Sequence, residues 1–208
     1  MRSGDFILVK SYVPKGIKGW FTLGGQIQFW TKPTNPNKWT HTAQGIRPYG
    51  YPNEQEDQIF EALELSVTTL WKQYQNDPSV HYKVYQWKDI RVQQIFDNCS
   101  NIVFHDLNHA WYGFAQLLYF IWRGTIERFH LPKRMAKKNF FPGGRICTED
   151  VWKSLHPGSE EAIKQFPSKA FEYVINYYYG MNCVHPGDIE NMLEELRKAG
   201  LMEVIEEK

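Results

Sequence analysis

Two kinds of periodicity divide this chain, and their order is the strongest constraint on its fold. Extended runs rich in β-branched and aromatic residues fill the first 87 positions. Helical spacing of large apolar residues dominates the second half. Phe6–Val13 (FILVKSYV) reads as a strand ended by Pro14 and Gly16. A second short apolar run spans Ile27–Trp30, and TKPTNPNKW then reads as a loop. Thr40–Ile46, weakened by Gly45, Gln58–Leu65 and Val80–Trp87 are three further strands, with Pro48–Asp57 a turn-rich connection and Val67–Tyr74 a short helix or crossover. Helices are expected over Asp106–Phe129, from Cys147 onward, over Pro167–Tyr179 and from Pro186, where Asp188 is the expected N-cap. Strands first and helices afterwards predict an α+β domain rather than alternating βαβ units.

The 208 residues, 42% of them hydrophobic and 16% aromatic, suffice for one sizeable core, so residues 1–208 are read as a single domain. A formal net charge of +1 gives no electrostatic pull towards nucleic acid or an acidic membrane. The basic cluster Lys133, Arg134, Lys137 and Lys138 reads as a solvated loop. Three cysteines, Cys99, Cys147 and Cys183, do not make an even disulfide framework. The start MRSGDFILV lacks the features of a secretory signal, implying a cytoplasmic protein if that start is native and a secreted or periplasmic one if a leader was removed. The apolar stretch Trp111–Trp122 is too short to span a bilayer and contains Gln116, so a soluble protein is expected.

Cys147 follows the turn-forming pair Gly143-Gly144 and precedes helix formers, which places it at a helix N-terminus. Unsatisfied N–H groups there favour a thiolate and could stabilise an oxyanion. The carboxylates of Glu149 and Asp150 in the same turn oppose that effect. The competing reading is a buried structural cysteine. His41, in a strand after a loop, is a candidate base for the thiol proton, against the plainer reading of a core or edge histidine. Glu61 could accept the second imidazole N–H; Glu64 is its rival, three residues on and so on the opposite face of an undistorted strand. His105 and His109 stand four apart beside Asp106, a spacing that suits two metal ligands, but no third ligand follows and capping or packing roles are expected. Tyr177-Tyr178-Tyr179 carries no interleaved basic residues and reads as core or groove lining rather than a base-stacking platform. No phosphate-binding loop or dinucleotide fingerprint is present, and no cofactor is implied.

Five short pieces occur in an order that resembles the permuted papain-like cysteine amidases of the YiiX/YaeF type, a branch of the NlpC superfamily. They are Gly4-Asp5 before an apolar run, Thr40-His41-Thr42-Ala43, Glu61-Ala62, Cys147-Thr148-Glu149 and Pro186-Gly187-Asp188-Ile189. The histidine precedes the cysteine, as in the permuted branch. The resemblance implies a circularly permuted papain-like fold, with a small antiparallel sheet or half-barrel carrying His41 and Glu61 and packed against the helix that begins at Cys147. It also implies an amide or peptide hydrolase in which Cys147 is the nucleophile, His41 the base and Glu61 the orienting residue. The substrate would be a peptidoglycan stem peptide or an N-acyl amide. The chain departs from the family pattern at Thr42-Ala43, at an extra Gln44, and at Asp150 between Glu149 and Val151. A thiol-dependent acyltransferase shares the His-then-Cys order, and a non-catalytic ligand-binding module could keep the fold.

Overall fold

The structure, a computed structural model, describes residues 1–10, 35–47, 58–62, 66–107, 117–132, 147–177 and 184–208. Its strands are β1 (Phe6–Lys10), β2 (His41–Ile46), β3 (Gln58–Ala62), β4 (Ser66–Leu70), β5 (His81–Trp87) and β6 (Met202–Glu207). Its helices are α1 (Trp71–Asn76), α2 (Ile90–Leu107), α3 (Leu117–Arg128), α4 (Cys147–Gln165), α5 (Lys169–Ile175) and α6 (Pro186–Lys198). The strands form one sheet in the order β4-β3-β2-β1-β5-β6, with every neighbouring pair antiparallel. The expected α+β class is what the chain adopts.

Strand β1 lies inside the sheet and is buried on both faces, which explains why its sequence is continuously apolar rather than alternating. Phe6 and Leu8, with Tyr85 and Trp87, join the helix-side core, against Val92 and Phe96 of α2, Val151 and Leu155 of α4 and Leu193 of α6. Ile7 and Val9 join the opposite cluster with Ala43, Ile59, Tyr82, Val84 and Trp71. Trp87 stacks on Phe96 with ring centroids 4.0 Å apart, and Phe6 meets Phe96 edge-on at 5.9 Å. Helix α4 crosses this aromatic cluster at Gly158, where any Cβ would lie 2.4 Å from the Phe96 ring; the glycine lets the two elements approach.

Several elements differ from the sequence expectation. Asp106 does not begin a helix; it lies in the last turn of α2, whose apolar positions are broken by buried Gln93 and Ser100. Gln93 donates to the Ser3 carbonyl and Ser100 donates to Gln44 Oε1 at 3.3 Å, so polar side chains occupy part of the helix's buried face and blur its periodicity. The segment expected as a crossover at Val67–Tyr74 divides into edge strand β4 and the short helix α1. The chain returns to the sheet at its end, where β6 pairs with β5, so helices do not close the order. Gly45 does not weaken β2: a Cβ there would lie 2.2 Å from the Arg2 carbonyl oxygen, its carbonyl accepts from the Gly4 N–H at 2.9 Å, and its own N–H donates to the Asp5 carbonyl at 2.8 Å. Among the described residues no helix is long and apolar enough to cross a membrane. The end of the first expected strand, the run Ile27–Trp30, Pro48–Asp57, Glu64, His109, Gln116, the Lys133–Lys138 cluster, Gly143-Gly144, Tyr178-Tyr179 and Cys183 lie outside the described residues.

Candidate active site

The turn before β2 is built by Asn35. Its side chain accepts from the Trp39 N–H at 3.0 Å and donates to the Trp39 carbonyl at 2.7 Å, while Lys38 takes a left-handed conformation and donates to the Asn35 carbonyl at 3.0 Å. Asn37 ties the same turn to α6 by donating to Glu190 at 2.6 Å. Thr40 then donates its N–H to the Val9 carbonyl at 2.9 Å, which fixes where β2 starts and therefore where His41 sits. Val9 lies opposite His41 and Glu61 lies opposite Ala43. His41 is two residues from Ala43 and shares its face, so His41 and Glu61 are diagonal cross-strand neighbours within side-chain reach.

The side chains meet. His41 Nε2 lies 2.8 Å from Glu61 Oε2, with Glu61 1% exposed and His41 9%. Cys147, the first residue of α4, is buried and stands near enough to the same imidazole to act on it electrostatically. With Nε2 engaged by Glu61, Nδ1 is the ring nitrogen left to exchange a proton with another group. The start of α4 is held by Thr148, whose hydroxyl donates to the Val184 carbonyl at 2.7 Å. Burial alone pushes the His41 imidazole down. The neighbouring Cys147 and then the hydrogen-bonded Glu61 carboxylate outweigh burial and hold His41 up at about 10. The arrangement therefore favours an imidazolium beside the Glu61 carboxylate, with Cys147 as its second neighbour at the N-terminal end of a helix.

A scan against protein-family models gives no match, and a search of curated proteins gives none either.

The structure brings together Cys147, His41 and Glu61. His105 is exposed at the end of α2 and its ring contacts Phe104. Glu149 and Asp150 are both buried in the first turn of α4, and Lys153 approaches Glu149 at 3.5 Å, so a cation attends part of the charge that opposes a thiolate there. Gln44 does not distort β2: the register from Phe6–Gln44 to Val9–His41 is regular, and the Gln44 side chain is absorbed by Ser100.

One residue of the site escaped the sequence. Tyr74 of α1 donates its phenolic O–H to Glu61 Oε2, the oxygen that also faces His41. Burial, followed by the neighbouring Glu61 carboxylate, pushes this phenol well above its usual range, so it stays protonated. Its ring stacks on Trp71, with centroids 5.9 Å apart and planes at 17°. The available signal was the helical i, i+3 spacing of Trp71 and Tyr74.

The segment His185-Pro186-Gly187-Asp188 has a different use from the one expected. His185, not Asp188, is the N-cap of α6, and Asp188 is the third helical residue of a capping box. His185 Nδ1 accepts from the Asp188 N–H at 3.2 Å, and Asp188 Oδ2 accepts from the His185 N–H at 2.9 Å. Arg123 grips both Asp188 oxygens, at 2.8 Å to Oδ1, and Tyr177 donates to Oδ1 at 2.5 Å.

Proposed function

We propose that this protein is a cysteine hydrolase of amide or peptide bonds, built as a permuted papain-like fold. The observation that carries the reading is the single imidazole of His41, flanked by the Cys147 thiol on one side and by Glu61 at 2.8 Å on the other. That order of groups is the requirement for thiol activation: a base beside the nucleophile and an acceptor that fixes the base's tautomer. The resemblance of the five ordered pieces to YiiX/YaeF-type amidases supports the same assignment, as does the antiparallel sheet carrying both partners against α4.

In this mechanism the Cys147 thiolate attacks the substrate carbonyl carbon and the C–N bond breaks. The His41 imidazolium gives its proton to the leaving amine. Neutral His41 then takes a proton from water, whose oxygen attacks the thioester; the acid leaves and the Cys147 thiolate is restored. Backbone N–H groups at the start of α4 face the developing oxyanion. Glu61 keeps Nε2 as the donor nitrogen throughout. N-acyl amides and peptidoglycan stem peptides are the substrate classes to screen. Turnover should appear in wild type, vanish in Cys147→Ala and fall about 100- to 10,000-fold in His41→Ala. Hydrolysis that survives Cys147→Ala would refute the assignment.

A further inference from the structure

We propose that Tyr74 is a positioning residue of the same site, acting through Glu61 to set how tightly His41 holds its proton. This inference rests on the hydrolase reading and extends it by one residue. Glu61 Oε2 is shared: it faces His41 Nε2 at 2.8 Å and accepts the Tyr74 O–H as well. A carboxylate oxygen that already accepts one strong hydrogen bond is a weaker partner for a second donor, because its charge is partly neutralised. The phenol therefore moderates the pull of Glu61 on the imidazolium. It also stops the carboxylate from turning about its side-chain torsion, which keeps Oε2 aimed at Nε2.

Moderation matters because the proposed reaction uses His41 twice, first as an acid and then as a base. An imidazolium held too strongly protonates the leaving amine poorly and is slow to become the neutral base needed for deacylation. The pairing of neighbouring strands holds Tyr74 in place for that role. Helix α1 follows β4, β4 pairs with β3 around Glu61, and the phenyl ring is fixed by its stack on Trp71. The largest charge effects on Tyr74 and on His41 involve Cys147 and Glu61 in both cases. The neighbouring charged groups are otherwise engaged: Glu206 accepts from Tyr82 and Gln75, and Lys208 donates to the Gln75 and Asp77 carbonyls.

The test is the titration of His41 followed by NMR on protein carrying labelled histidine, in wild type, Tyr74→Phe, Glu61→Gln and the double variant. Phenylalanine keeps the stack on Trp71 and removes only the O–H. Tyr74→Phe should move the His41 midpoint upward by about one pH unit, equivalent to about 1.4 kcal/mol. In the Glu61→Gln background the same substitution should move it little. An unchanged midpoint in Tyr74→Phe, or an equal shift with and without Glu61, overturns the positioning role. Cys147→Ala is the separate control: if it leaves the His41 midpoint where it was, the Cys147–His41 pairing fails instead.

Discussion

Two buried clusters in this molecule are assembled from the same kinds of side chain, yet they leave their histidines in opposite states. At the first, His41 meets Glu61, whose carboxylate accepts a phenolic O–H from Tyr74. At the second, His185 meets Asp188, whose carboxylate accepts a phenolic O–H from Tyr177. Each lies at the start of a helix, α4 in one case and α6 in the other. His41 is held up at about 10, whereas His185 is pushed down to about 3. The difference lies in the fourth partner. Cys147 stands beside His41, and together with Glu61 it outweighs the cost of burial. At His185 burial dominates, and the Arg123 guanidinium has already neutralised Asp188. A histidine next to a carboxylate is therefore not in itself a catalytic pair; the charge balance of the whole cluster decides.

Arg123→Met should show the largest effect on stability. Arg123 and Asp188 are each 1% exposed, and removing one member of such a pair leaves the other charged in the interior, at a cost of about 3–5 kcal/mol. Chemical denaturation measures it. The loss should leave the alkylation of Cys147 unchanged in the folded protein, and a matching loss of Cys147 reactivity would merge the two clusters into one functional unit.

The pH windows of the two clusters should also separate. The Asp188 carboxyl would be raised by burial, but Arg123 and its other partners hold it at about 2, below its ordinary 3.8. A lowered carboxyl contributes stability above the unfolded value and loses it as pH falls through the folded one, and a histidine pushed down to about 3 likewise loses stability as pH falls below its unfolded 6.5. This cluster should therefore weaken from about pH 6.5 down to about 2, with Asp188 accounting for about 2 kcal/mol of the last part. The raised His41 works in reverse: its contribution is complete below about 6.5 and is lost as pH rises through about 10. Unfolding curves across the pH range should show both limbs, and Cys147→Ala should reduce only the alkaline one.

Much of this was legible in the sequence for physical reasons that can be named. β1 and β5 announce themselves because β-branched and aromatic side chains line them, and the Cys147 helix announces itself through the Gly-rich approach and the acidic first turn. His41 and Glu61 could be nominated singly, but their meeting depends on the pairing of β2 with β3, a register that local spacing does not encode. Helix α2 was hidden because Gln93 and Ser100 occupy its buried face and answer distant polar atoms. Tyr74 was hidden because its partner lies 13 residues back, on β3. The N-cap was misplaced by three residues because aspartate is the commoner capping side chain, whereas here neutral His185 provides the accepting nitrogen and Asp188 answers from inside the helix.

Site-resolved iodoacetamide alkylation at pH 6, followed by mass spectrometry on wild type, His41→Ala and His185→Ala, tests the central claim most directly. Cys99 is the internal reference, half-buried and with its thiol pushed up by burial and then by Glu161. The account predicts that Cys147 reacts at least about tenfold faster than Cys99, because the thiolate is the reacting form. That advantage should disappear in His41→Ala and survive in His185→Ala. Equal rates at the two thiols, or a Cys147 rate unaffected by the loss of His41, would contradict it and leave the His41 cluster as structural as its counterpart at His185.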